Sequence, residues 1–309
     1  MFLKSLFSLL VAVCLIPVAA ASPSEATAAE QLNNKAISNE LFNDLTWYMK
    51  YATSAYTPSN QCPYPNGQTL VTGFEGRFTD TRGYIARDDS KKQIVVSFVR
   101  YTNDSAEKFV DSNAVLLLDP FLPSGISYCN EFGPVLVHRR FLTEWSSVSS
   151  FVLDTISKQL IGRSEYDIVT VGHSVGGAIA SLAALTIKLK FPFTKMYVYT
   201  YGQPRTGNLA YAKCVNKLFG TGNSFRVTHT KDLIPHLPHT INGYVHHGVE
   251  YWITKDPASV DNIVACNESG EDRTCSRSVP KGDLSILDHL KYMEIFAPFQ
   301  SFCNRSAAV

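Results

Sequence analysis

Asp167-Ile168-Val169-Thr170-Val171-Gly172-His173-Ser174-Val175-Gly176-Gly177 joins an apolar, β-branched run to a Gly-x-Ser-x-Gly turn, and residues 178–189 continue as an Ala/Leu-rich run. β-branched residues fit a pleated strand and Ala/Leu-rich stretches fit a helix, so the order is strand, turn, helix. A serine on so tight a turn takes a strained backbone that only small neighbours, here Gly172 and Gly176, permit. The strain exposes a hydroxyl at a helix N-terminus, where the Val175 N–H and the helix dipole can stabilise negative charge developing on an oxygen. A bare Gly-x-Ser-x-Gly arises often by chance in Gly/Ser-rich turns; flanked in order by strand and helix, it does not.

Working outward, strand-like runs lie at 83–86, 93–99, 195–200 and 224–228 around the elbow strand at 168–171. Leu41, Leu45, Tyr48, Met49 and Ala52 recur at helical spacing and predict an N-terminal helix packed on the body. Strands alternating with helices predict an α/β fold with a mostly parallel central sheet flanked by helices, whose reactive groups gather at the carboxyl ends of the strands. No repeat, heptad run or linker divides the chain after Ser38.

With 309 residues, 45% hydrophobic and 18% charged, the chain can bury a sizeable core and falls outside the disordered class. Lys plus Arg number 28 against 27 Asp plus Glu, so the charge balance does not argue for nucleic acid or an anionic membrane as a partner. Residues 1–21 combine Lys4, an apolar run at 6–18 and Ala19-Ala20-Ala21, which reads as a cleavable secretory signal; the run is shorter than the roughly 20 residues a bilayer span needs. Residues 22–37, rich in Ala, Ser and Glu, read as a flexible or processed segment. The protein is therefore expected outside the cell, where an even set of cysteines (Cys62, Cys129, Cys214, Cys266, Cys275 and Cys303) suggests disulfides. Cys266 and Cys275 flank a short polar loop suited to a local clip. Sequons at Asn103, Asn267 and Asn304 are compatible with that route.

A serine hydroxyl is a weak nucleophile at neutral pH and needs a histidine base, itself oriented by an acid. Behind an elbow of this kind both partners follow the serine in the chain. Asp232 is the best acid, because Phe225-Arg226-Val227-Thr228 runs into the loop that carries it. His229, His236, His239, His246, His247 and His289 all follow Ser174. Chain order favours His289, near the start of an expected terminal helix, and leaves His246 and His247 open. Asp288 is a rival acid by order alone, but sequence neighbours rarely face each other, so it reads as a cap or solvent-facing residue. Adjacent His246-His247 and the lack of a His-x-x-x-His or Cys-x-x-Cys pair argue against a metal. No cofactor is expected.

Gly172-His173-Ser174-Val175-Gly176-Gly177-Ala178, Tyr201-Gly202-Gln203-Pro204-Arg205-Thr206-Gly207-Asn208, Phe225 to His229 with Asp232 and Pro235, Gly243-Tyr244-Val245-His246, and Asp288-His289 with Tyr292 together resemble the secreted fungal lipases. This is the class-three family of triacylglycerol lipases and feruloyl esterases. The resemblance runs from Leu41 to Cys303 and implies an α/β-hydrolase catalytic domain over 38–309. It implies Ser174 as nucleophile, Asp232 as acid, His289 as base and a structural role for His246. It also implies an oxyanion hole formed by Val175 and, in the turn Arg100-Tyr101-Thr102, by Thr102. Family members carry glycine where Tyr101 stands, so this turn either bends differently or alters access to the cleft. Residues 104–113 fall at the family's lid, here short and fairly polar like those of its esterases; residues 114–118 read as an acyl groove or a buried strand. The resemblance pairs Cys62 with Cys303 and Cys266 with Cys275, leaving Cys129 and Cys214 free or joined.

The expectation is a secreted serine carboxylic-ester hydrolase acting on acylglycerols at a lipid–water interface. Feruloyl esterase activity on plant cell-wall esters is the alternative, and a catalytically silent lipid- or glycan-binding relative is a second.

Overall fold

The computed structural model describes residues 36–101, 110, 116–118 and 129–304, all in one contiguous unit. The expected signal at 1–21, Thr102, Asn103 and all of the expected lid but Val110 lie outside the described residues. The strands in chain order are β1 (Thr69–Glu75), β2 (Thr81–Asp88), β3 (Gln93–Arg100), β4 (Leu116–Leu118), β5 (Leu136–His138), β6 (Asp167–His173), β7 (Met196–Tyr201), β8 (Ser224–His229), β9 (Glu250–Ile253), β10 (Ile263–Ala265), β11 (Lys291–Tyr292) and β12 (Ile295–Phe296). The α-helices are α1 (Asn39–Ser54), α2 (Arg139–Ser146), α3 (Ser149–Leu160), α4 (Val175–Lys190) and α5 (Leu209–Phe219).

Eight strands form the main sheet in the order β1-β2-β3-β6-β7-β8-β9-β10. β3 through β9 pair in parallel, while β1–β2–β3 and β9–β10 are antiparallel. Side chains alternate across the sheet and are buried on both faces, as the continuous apolar runs require. Ile94, Val96, Phe98 and Ile168 pack toward α2 and α4 with Trp145, Ile179 and Leu182. Val95, Val99, Val169, Val171 and Val227 pack under α1 against Leu45, Tyr48 and Met49. Sandwiched against the sheet, α4 is buried at every residue from Val175 to Ile187. Ser38 caps α1 by accepting from Leu41 N at 3.1 Å.

The sequence missed β1, β9 and β10, toward the two ends of the sheet, which are short or lack clean alternation. Leu116–Leu118 is a strand, paired with β5. The expected terminal helix is instead a single 3₁₀ turn, Leu287–Leu290, followed by the β11–β12 hairpin. Met293 and Glu294, at φ 51° and 62°, form its two-residue turn, and positive φ at consecutive residues ends any helix. Glu294 offsets part of that strain by accepting from Ala258 N at 2.9 Å and pairing with Lys291 at 2.8 Å. Disulfides join Cys62 to Cys303, Cys266 to Cys275, and Cys129 to Cys214, which settles the last pair as joined. Among the described residues no helix is long and apolar enough to cross a membrane.

Candidate active site

Ser174 sits between β6 and α4 at φ 59°, ψ −132°. A non-glycine residue there costs on the order of 1–3 kcal/mol, and the surroundings hold it in place. Ser174 N donates to Tyr201 O at 2.8 Å, and Gly177 N to Ser174 O at 2.9 Å. The flanking glycines are steric necessities. A Cβ on Gly172 would lie 2.2 Å from Gly176 O, and one on Gly176 would lie 2.2 Å from Phe98 O. Val175 opens α4, so its N–H has no partner within the helix and is free to donate into the cleft.

Asp232 lies in the loop after β8 and His289 in the 3₁₀ turn after Ile286, both buried. His289 Nδ1 donates to Asp232 Oδ2 at 2.8 Å. Tyr292 OH donates to that same oxygen, while Ile234 N donates to Oδ1 at 2.8 Å. With its proton on Nδ1, the imidazole presents a bare Nε2, which has no hydrogen-bond partner among the described residues. Ser174, Val175 and His289 line one cavity of about 260 Å³, together with Tyr56, Leu290 and Pro298. The two loops are stitched together: Ser285 N donates to Lys231 O at 2.8 Å and Leu233 N to Ser285 O at 3.2 Å. Asp288 serves as a clasp rather than a rival acid, its carboxylate accepting from Thr230 Oγ1 and, at 3.0 Å, from Lys231 N. Burial pushes its pKa up, but these bonds and neighbouring charge outweigh burial and leave it below the usual value.

His173, the residue before the serine, stacks on His289 with ring centroids 4.6 Å apart. Its Nε2 donates to His289 O at 2.9 Å and its Nδ1 accepts from Tyr56 OH at 2.7 Å. Burial, and then the neighbouring His289, hold its pKa well below the usual histidine value, so it stays neutral. The sequence carried no signal for Tyr56, and it offered Tyr292 only as part of a motif.

Among the described residues none of the other candidate histidines bonds to Asp232, half-buried His236 included. His229 bridges Asp288 O at 2.8 Å and Asp256 Oδ1 at 3.0 Å; His246 Nε2 meets Pro235 O at 2.7 Å; His247 packs beside Ser181 and Gln203; His239 is exposed. Tyr101 turns outward, 53% exposed, with the Arg82 guanidinium 4.7 Å from its ring centre. Among the described residues Cys266, Asp272 and Cys275 cluster as metal ligands would, but the two sulfurs are bonded to each other and offer no thiolate.

Burial pulls His138 down to about 4 and His247 down to about 3, and it also depresses His173 and His246. Between those values and about 6.5 the unfolded chain binds protons the folded chain refuses, so stability is full above about 6.5 and falls as pH drops. Each such histidine contributes up to about 1.4 kcal/mol per pH unit in that window. The thermal midpoint is expected to fall steeply from pH 6 to pH 4, and His247→Gln is expected to flatten the fall. Calorimetry across that range checks it.

A parallel α/β sheet with a strained serine elbow and an Asp–His pair at its carboxyl edge defines an α/β-hydrolase. Residues 88–242 match the lipase (class 3) family. The lipase of Rhizopus niveus is 31% identical over 270 residues, covering 82% of this chain and 63% of that protein, so the chain spans under two thirds of that relative's length. The secreted mono- and diacylglycerol lipase A of Penicillium cyclopium is 30% identical, covering 72% of this chain and 74% of that protein. A solved triacylglycerol lipase, described as having a serine protease triad for its catalytic centre, superposes with a TM-score of 0.75 at 28% identity, covering 87% of this chain and 99% of that one. This chain belongs to the class 3 lipase family.

Proposed function

We propose that the protein is an exported lipase that hydrolyses acylglycerols through Ser174, His289 and Asp232. The observation that carries this reading is the Asp232–His289 hydrogen bond, which leaves Nε2 without a partner among the described residues on a histidine that lines the same cavity as Ser174. Ser174 Oγ attacks the ester carbonyl carbon as its proton passes to His289 Nε2; Asp232 stabilises the imidazolium. The oxyanion is held by Val175 N–H and by Thr102. Collapse expels the alcohol, which takes the proton from His289, and water, activated by the same nitrogen, releases the acid from the acyl-enzyme.

An acylglycerol surface is favoured by the cleft's rim. Ile286, Leu287, Phe296 and Phe299 are 43%, 72%, 46% and 74% exposed, on the same segment whose Leu290 and Pro298 line the cavity. Exposed large apolar side chains beside a cleft are what contact with an apolar surface requires. Export is supported by the composition of residues 1–21 and by relatives named as secreted.

Purified protein is expected to cleave emulsified triacylglycerols and p-nitrophenyl esters, and a fluorophosphonate is expected to label Ser174, read by peptide mass. Turnover of methyl ferulate alone transfers the assignment to the feruloyl esterases. Absence of both turnover and label leaves a silent binder.

A further inference from the structure

We infer that Gly202 is a positioning residue for the Asp232–His289 pair, an assignment that rests on the catalytic reading above. Gly202 follows the last residue of β7 at φ +59°, with its N–H bonded to Val227 O at 3.0 Å. A Cβ built on it would lie 2.8 Å from His289 Cε1, 2.9 Å from His289 Nδ1 and 3.0 Å from Asp232 Oδ2. The hydrogen bond between acid and base therefore passes over a bare α-carbon, and the smallest side chain there meets both of its ends.

Both partners are held where they are. His289 is stacked on His173, which also holds its carbonyl; Asp232 Oδ2 is fixed by Tyr292 and Oδ1 by Ile234 N. Crowding at Gly202 must then displace the imidazole or lengthen the Asp–His contact, and a displacement near 1 Å costs about 10²-fold in rate.

Left-handed backbone alone would also disfavour alanine, and the protein contains its own control. Gly220, at the C-terminus of α5, has φ +61°, and a Cβ added there would meet nothing within 4 Å. Gly202→Ala and Gly220→Ala both place a side chain at a positive φ near +60°, and only the first crowds the pair.

The test compares both variants on p-nitrophenyl butyrate, with Ser174→Ala in parallel. Gly202→Ala is expected to lose about 10²-fold in kcat with KM changed less than about threefold, while Gly220→Ala keeps kcat within about twofold. In proton NMR the far-downfield His289 Nδ1–H resonance is expected in wild type and Gly220→Ala and lost or shifted in Gly202→Ala. A Gly202→Ala kcat within about twofold of wild type, an equal loss in Gly220→Ala, or an unmoved resonance overturns the inference. If Gly202→Ala is insoluble, pairing it with His289→Ala, which removes the ring contacts, is expected to restore folded protein; a double variant that is still insoluble overturns it. If wild type shows no Ser174-dependent turnover, the catalytic reading fails and the NMR comparison alone decides on Gly202.

Discussion

Ser174→Ala is expected to lower kcat by about 10⁶-fold while leaving the fold intact. The loss is large because, in the proposed mechanism, the serine supplies the atom that forms the new bond, and with it absent His289 has no proton to receive. Stability is expected to hold because Ser174 Oγ makes no hydrogen bond among the described residues. Alanine at φ 59° bears the same backbone strain as serine. The contrast is read by steady-state turnover beside a thermal melt. A variant that loses activity and its melting transition together points to an elbow that needs the hydroxyl for folding; one that keeps turnover removes Ser174 from the mechanism.

Asp232→Asn is expected to cost about 10⁴-fold in kcat through the base's proton rather than through charge alone. Ile234 N is a donor aimed at Oδ1, so the amide oxygen of an asparagine must take that side. The amide nitrogen then faces His289 Nδ1 and Tyr292 OH, where the carboxylate oxygen had accepted from both. An NH₂ donor there turns Nδ1 into an acceptor and moves the ring proton to Nε2, which can no longer take one from serine. Tyr292 OH meets a donor where it had an acceptor. The pH–rate profile, set beside wild type, is the measurement, and a loss below about tenfold would overturn the tautomer argument.

The elbow was legible because its constraints are local: Gly172, Ser174 and Gly176 stand within five residues, and the β-branched run and the helix on either side have different periods. Asp232 was legible for the same reason, one loop after an apolar strand. The base was harder. Chain order admits His246 and His247 as well as His289, and what separates them is buried geometry: Pro235 O occupies His246, and Ser181 and Gln203 surround His247. Only the resemblance to a family singled out His289. Nothing local marks Tyr56 as the partner of His173, since 117 residues separate them. Nor does the composition of residues 285–294 exclude a helix; the pair of positive φ angles at Met293 and Glu294 is imposed by the hairpin and by the contacts Glu294 makes with Ala258 and Lys291. Proximity in space, rather than residue type, made these features invisible.

The stitching of the Asp232 loop to the segment entering His289 also bears on how such a chain can be recombined. Asp232 and Ser285 form an isolated parallel bridge, and Asp288 clasps Thr230 and Lys231, so residues 229–236 and 285–292 present the proposed acid and base as one stitched cassette. A chimera that takes one half from a homologue inherits the proposed acid with a clasp that belongs to another protein. Productive crossovers therefore lie before His229 or after Tyr292, and the elbow, whose Gly176 abuts Phe98 and whose helix is buried from Val175 to Ile187, has to travel with the sheet around it.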